Sequence, residues 1–346
     1  MKRNWTILGV LFAIALLLTI TCTKRQNEGN GSGGPGGRGV VRVGYLRLLS
    51  AAPLYTAVRE GYFREEGIEV ELRVIKSGPE GNEALAAGNV DVAFSILPSL
   101  ITAYDSGVPS DLVSIYGASI DGPKIRDHRI IVATTSDLGR VDQLRGKKIG
   151  LVGWPGMTSD GLELLDFLER HGMTVNDVTL VGMAHGDMVA NLQSGVIDAA
   201  AAAEPYITSG TLQGVVKTLE EEEGFYYQTS SNTEVTTYLA RRAWVDANPE
   251  LARKFVRALD RGRQKSSDRE WLTKAGLPFF NKKATASIDF VELTSEQAGQ
   301  LRLMPINGLP SKEGLTHVTQ QLVKRGKIKK TPSDPDALVL PLLKTN

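Results

Sequence analysis

Two stretches of this 346-residue chain are written on one template. Leu85, Gly88, Asp91, Ala93 and Pro98 return 107 positions later as Leu192, Gly195, Asp198, Ala200 and Pro205. In the pattern L-x-x-G-x-x-D-x-A-x-x-x-x-P, the Leu closes an amphipathic helix on a core. The Gly ends that helix by accepting the left-handed conformation that follows its last turn. A short apolar strand comes next, Val92 to Phe94 in one copy and Ala199 to Ala202 in the other. The Pro then sits in the first turn of another helix, where its missing N–H costs nothing. Helix, strand and helix in this order belong to a parallel α/β sheet. Two copies predict an α/β chain of two similar lobes with a cleft between them.

The rest of the sequence extends that plan. Val41 to Leu46 alternates as a first strand. Ser50-Ala51-Ala52-Pro53 starts a helix carrying Leu54, Tyr55, Val58, Tyr62 and Phe63 at helical spacing, and Gly67 ends it. Lys148 to Val152 opens the second lobe as a strand, followed by a helix bearing Leu162, Leu165 and Leu168. Arg129 to Ala133 and Val235 to Ala240 are read as the two segments that pass between lobes, a two-strand hinge that permits closure. After Asn248-Pro249, a long helix with Leu251, Phe255, Val256 and Leu259 is predicted to pack on the first lobe. The expected boundaries are 40–128 with 238–330 for lobe one, 129–237 for lobe two, and 331–346 for a C-terminal tail.

The N-terminus is written for export. Lys2 and Arg3 precede an apolar run from Ile7 to Ile20, short of the ~20 residues needed to span a bilayer. Residues 1–22 therefore read as a signal peptide, with an uncleaved anchor as the alternative. The only cysteine, Cys22, follows this run and resembles the lipidated cysteine of bacterial lipoproteins. Thr19 and Thr21 depart from the Leu and small residue usual in such signals. Residues 23–39 are Gly-rich and polar, a tether. Hydrophobic residues at 42% and charged residues at 23% suit a globular body. A net charge of +1 gives no reason to expect nucleic acid as partner. One cysteine and four scattered histidines offer no zinc-ligand spacing, so no metal and no cofactor are expected.

Several motifs together resemble the extracytoplasmic solute-binding proteins of ABC importers, in the branch that binds alkanesulfonates, taurine, nitrate and the thiamine-precursor pyrimidine. They are Ala52-Pro53-Leu54-Tyr55 and Glu60 to Val70 (EGYFREEGIEV), then Gly88-Asn89-Val90-Asp91-Val92-Ala93. Leu144 to Gly150 (LRGKKIG), Gly195-Val196-Ile197-Asp198-Ala199 and Glu204-Pro205-Tyr206 complete the set. The resemblance covers about residues 40 to 260. It implies the type II periplasmic-binding fold, with a cleft lined by loops at the C-terminal ends of strands, where open α/β sheets generally bind ligands. It also implies a monomer that captures a small organic solute, anionic or zwitterionic and taurine-like, in the periplasm or at the cell surface. The partner implied is a membrane permease.

The candidate site follows from those loops. Ser50, Ser99, and Thr158 with Ser159 set hydroxyls beside helix starts, whose N–H groups and dipole suit an anion; ordinary N-caps are the alternative reading. Ala51, Ser77, Leu97, Gly156 and Met157 belong to the same loops. Glu204, at the end of an alanine-rich strand, needs a partner if buried, either a ligand amine or a structural donor. Tyr206 either stacks on a ligand or packs. Arg47 either pairs with an anionic ligand or stands at the surface. Asp187 reads as an N-cap bordering the cleft, and His185 as a loop residue. Two other functions fit the same fold. Pyrimidine synthases and menaquinone-pathway enzymes do chemistry in such a cleft. A single cysteine cannot supply the synthases' cysteine-rich motif, both groups work in the cytoplasm, and no G-x-S-x-G or H-E-x-x-H appears, so no enzyme is expected. A sensory module is the third option, and the sequence shows no second membrane segment or signalling domain to favour it.

Overall fold

A computed structural model describes residues 39–106, 111–121, 128–153, 158–219, 233–234, 236–268, 270–271, 308, 312–329, 332 and 334–343. The expected signal peptide, Cys22 and all of the tether but Gly39 lie outside them. Gly39 itself opens the first strand, one residue earlier than the boundary expected for the lobe.

The strands are β1 (Gly39–Tyr45), β2 (Ile68–Val74), β3 (Val92–Ile96), β4 (Leu112–Gly117), β5 (Ile120–Asp121), β6 (His128–Ala133), β7 (Lys148–Leu151), β8 (Thr179–Gly182), β9 (Ala199–Ala203), β10 (Val216–Thr218), β11 (Thr233–Glu234) and β12 (Thr236–Arg241). The principal helices are α1 (Ala52–Arg59), α2 (Gly78–Ala86), α3 (Leu97–Ser106), α4 (Ser159–Arg170), α5 (His185–Gln193), α6 (Tyr206–Leu212), α7 (Pro249–Ser266) and α8 (Lys312–Lys324).

One five-stranded sheet runs β2-β1-β3-β12-β4; the other, read from its far edge, runs β8-β7-β9-β6-β10. The two orders are the same pattern: second, first, third, a crossing strand, fourth. The first three strands of each are parallel and the crossing strand is antiparallel to both neighbours. In the first sheet the crossing strand is β12, which the chain adds after completing the second sheet. In the second it is β6, laid down on arrival. Between the sheets β5 and β11 pair antiparallel, Thr233 opposite Asp121 and Glu234 opposite Ile120. The double-stranded link thus lies at these residues, whereas the expected hinge segments are the crossing strands themselves. An apolar, alternating segment read alone does not show which sheet it will join.

The repeated template acquires its physical meaning here. Leu85 and Leu192 are buried, and Gly88 and Gly195 adopt φ of 69° and 70°, the left-handed conformation that closes each helix. The Asp91 carboxylate accepts the Arg42 backbone N–H at 2.9 Å, and that of Asp198 accepts the Lys148 N–H at 2.8 Å. Each aspartate's own N–H donates back to the same residue's carbonyl, Arg42 at 2.8 Å and Lys148 at 2.9 Å. This two-way clip sets the register of the first and third strands in each sheet, Val43 opposite Val92 and Ile149 opposite Ala199.

Two apolar layers cover the first sheet. Leu54, Tyr55 and Ala57 of α1 meet Phe255, Val256 and Leu259 of α7, and Phe63 stacks on Phe255 at 5.3 Å. Leu100 and Ile101 of α3 meet Leu315, Val318 and Leu322 of α8 in the other layer, and Leu162 of α4 joins them from the second half. The C-terminal tail contributes to this layer. Leu338 and Val339 are buried, Val339 bridges Ser114 in parallel, and the Leu340 N–H donates to the Ser114 carbonyl at 2.8 Å. The apolar stretch from Leu338 therefore finishes the β4 edge, which removes an exposed edge strand.

Candidate functional site

A cavity of about 40 Å³ lies where both sheets present the C-terminal ends of their parallel strands. From the first sheet come Leu46, Leu48, Leu49 and Ser50 after β1, Lys76, Ser77 and Gly78 after β2, Ile96 at the end of β3, and Thr236. From the second come His128, Val152, Thr158, Ser159, Asp160 and His185, with Ala203 and Glu204 at the end of β9. By this measure a water needs roughly 10–15 Å³, so the space takes a group of a few heavy atoms. The Leu49 N–H donates to the Glu204 carbonyl at 3.2 Å, and Ala203 and Tyr206 pack into the apolar cluster of the first sheet. The two halves are in contact beside the cavity.

Of the residues expected at the site, Ser50, Ser77, Thr158, Ser159 and Glu204 line the cavity. Ser77 and Thr158 are also N-caps: Ser77 Oγ accepts from the Glu80 N–H at 3.3 Å and Thr158 Oγ1 from the Gly161 N–H at 3.1 Å. Thr158 Oγ1 donates in turn to the Val152 carbonyl at 2.9 Å. Glu204 is 3% exposed, and its carboxylate accepts from the Thr208 N–H at 3.2 Å and the Thr208 hydroxyl at 2.8 Å. A structural donor is therefore present, on a side chain that still faces the cavity.

Other expectations are corrected. Ser50 lies inside a 3-10 turn, Leu49–Ala51, rather than at a cap. Ser99 is the third residue of α3, because β3 runs straight into that helix at Leu97; Ser99, Leu97 and Ala51 are buried and do not line the cavity. Asp187 is not the N-cap of α5. Ala184 is, and Asp187 is exposed in the first turn. Arg47 is half-buried beside Tyr45 and Tyr206 and does not line the cavity. Tyr206 packs, and its ring stacks on His185 with centroids 5.7 Å apart. Burial pushes its hydroxyl up to about 12. Gly156 and Met157 lie outside the described residues.

A buried charged chain beneath the cavity was not foreseen. Asp160 Oδ2 stands 3.0 Å from His185 Nε2, and Asp160 Oδ1 stands 3.6 Å from His128 Nε2. His128 Nδ1 is 3.8 Å from Glu163 Oε2, whose side chain is fully buried. Burial alone would raise the Asp160 carboxyl. The charge of His185 and the contacts of both imidazoles outweigh it and hold Asp160 well below the usual carboxylate range. A depressed native value stabilises the fold above the unfolded value near 3.8 and is lost as pH falls below it. Asp160→Asn is therefore expected to flatten the acid limb of unfolding below about pH 4, measured by circular dichroism against pH. The sequence does hold one signal for this chain of charges. Asp160, Glu163 and Asp166 recur every three residues, which puts acids on a face of α4 that is buried. No group of three or more His, Cys, Asp or Glu placed to hold a metal ion occurs among the described residues.

Comparisons with known proteins follow the fold. A model described as the NMT1-like family matches residues 36–275. The chain is 27% identical over 221 residues to a 4-amino-5-hydroxymethyl-2-methylpyrimidine phosphate synthase of Aspergillus parasiticus, covering 61% of each chain. It is 30% identical over 172 residues to a protein named as an aliphatic sulfonates-binding protein of Escherichia coli (strain K12), covering 50% of each. The matches thus span between half and about three-fifths of these relatives' length. Among solved structures, the alkanesulfonate-binding protein of Xanthomonas axonopodis pv. citri bound to MOPS superposes with a TM-score of 0.65 at 18% identity, covering 88% of this chain and 99% of that one. The periplasmic nitrate-binding protein of Synechocystis PCC 6803 gives 0.64 at 18%, covering 88% and 85%. At these identities the likeness shows the fold, that of the periplasmic binding proteins.

Proposed function

Because this chain belongs to the NMT1-like family, we propose that it is the extracytoplasmic solute-binding component of an ABC importer. It captures a small organic solute between two lobes that close about the β5–β11 link, and it delivers that solute to a membrane permease. The observation that carries this reading is the cavity itself, walled by strand ends from two sheets of the same topology. Such crevices are where open α/β sheets hold ligands. Ser50, Ser77, Thr158, Ser159 and Glu204 are the proposed ligand-facing residues, with Asp160, His128 and His185 added from the geometry. The binding of sulfonates by relatives supports a taurine-like solute, with its ammonium toward the acids. Residues 1–38 serve as export signal and tether, with lipidation at Cys22, and the binding unit is a monomer.

A ligand that binds only the native state raises stability by mass action, about 2.7 kcal/mol at a hundredfold excess over Kd. A thermal-shift screen across sulfonates, amino-sulfonates, nitrate, aromatic acids and pyrimidines is expected to give a saturable rise in Tm for at least one class. No rise with any class overturns the proposal. The pyrimidine synthase among the relatives supports a second reading, catalysis in the same cleft. Turnover of any solute that binds would establish it.

A further inference from the structure

The charges around the cavity say which end of a solute it recognises. Asp160 and Glu204 line the space and Glu163 lies directly behind, each with its side chain largely or wholly buried. The basic groups that are buried with them are two imidazoles, His128 and His185. Lys76 is the lining residue with a fixed positive charge among those described, and it is exposed at the rim, where water and salt screen it. The start of α4, which would otherwise attract an anion, already carries the Asp160 carboxylate in its first turn. A sulfonate entering here meets carboxylates that it cannot pair with, and burying like charges together is costly.

His185 supplies the second observation. Its side chain is nine-tenths buried, it lines the cavity, and its Nδ1 has no hydrogen-bond partner among the described residues. Nε2 faces the Asp160 carboxylate, so a neutral ring with its proton there leaves Nδ1 without a hydrogen. Nδ1 is then an acceptor, which suits an N–H donor. The rest of the wall combines serine and threonine hydroxyls with an apolar part formed by Leu46, Leu48, Ile96 and Val152.

We infer that the cleft selects a small organic ammonium, an N–H-donating cationic head on a short apolar body, and that a sulfonate on the same solute is dispensable. This rests on the solute-binding reading above and deepens it. Asp160 and His185 receive the ammonium, and the apolar wall takes the body.

Three compounds with one body test it: propylamine, propanesulfonate and 1-propanol, titrated into the full chain by calorimetry with Tm shift in parallel. Propylamine is expected to bind at least tenfold more tightly than propanesulfonate. Asp160→Asn should abolish that preference. Lys76→Glu, at an exposed position that folding does not depend on, should increase it severalfold. If Asp160→Asn does not fold, the wild-type ranking and Lys76→Glu decide the matter. Tighter binding of propanesulfonate or propanol overturns the ammonium inference and leaves solute binding standing. A preference unchanged in every folded variant also overturns it. Failure of all three, together with failure of the broader solute screen, removes both readings.

Discussion

Arg325→Met is expected to cost about 3–5 kcal/mol of stability, the cost of leaving a buried charge without its partner. Arg325 follows α8 of the first half, and its guanidinium pairs with Asp166 and, at 2.6 Å, with Glu169, both on α4 of the second half. The side chains of Arg325 and Asp166 are 9% and 7% exposed. Lys324 adds a weaker contact to Glu169 at 3.4 Å, exposed on both sides and worth little. The loss should appear as a lower urea midpoint with an unchanged slope. Adding Asp166→Leu should recover part of it, because the two changes share one interaction and are not additive. The effect should also reach the cleft. α4 carries Thr158 at its N-cap and Asp160 in its first turn, so amide exchange across Ser159–Arg170 should rise in Arg325→Met. A midpoint within about 0.5 kcal/mol of wild type would show that the clasp holds nothing together.

Gly262→Ala is expected to destabilise by at least about 2–3 kcal/mol, the upper range for overpacking a core. The direction is what makes the result informative. In an exposed helix interior the same change stabilises by about 1 kcal/mol. In α7, a Cβ at residue 262 would lie 2.1 Å from the Pro53 carbonyl oxygen and 3.0 Å from both the Ala57 Cβ and its backbone nitrogen. Those are backbone and near-backbone atoms of α1, which cannot swing aside as a long side chain would. The helices would have to separate, and with them the Phe63–Phe255 stack. Thermal unfolding of the variant measures this, and a raised Tm would show that α1 and α7 are not in such close contact.

The repeated template was readable because each of its positions acts locally. A Leu closes a helix, a Gly turns it off, and an alanine-rich strand needs no long-range partner to be recognised as buried. From those pieces came two α/β halves, and the structure returns two sheets of one strand order. What Asp91 and Asp198 do was not readable, since each clips a strand about fifty residues earlier in the chain. The link suffered the same way: β5 and β11 pair across more than a hundred residues, and neither two-residue strand has a pattern of its own. At the site, hydroxyls beside helix starts could be listed, and Thr158 is the cap that such a reading anticipates, whereas Ser77, named only as a loop residue, is a cap as well. Ser99 failed because a strand running into a helix without a turn leaves no cap to fill. His128, Asp160 and His185 were out of reach because a strand and two helices, far apart in sequence, bring them together. His185 reads as a loop residue because nothing near it in the chain announces Asp160.

Small-molecule mass spectrometry of what denaturation releases from the full chain, purified from its own cell envelope, tests the central claim most directly. A cavity closed by both halves and lined with buried polar groups should carry one low-mass organic solute near one per chain, and much less in Asp160→Asn. Folded protein that releases nothing above background, and whose Tm no such extract raises, would contradict it.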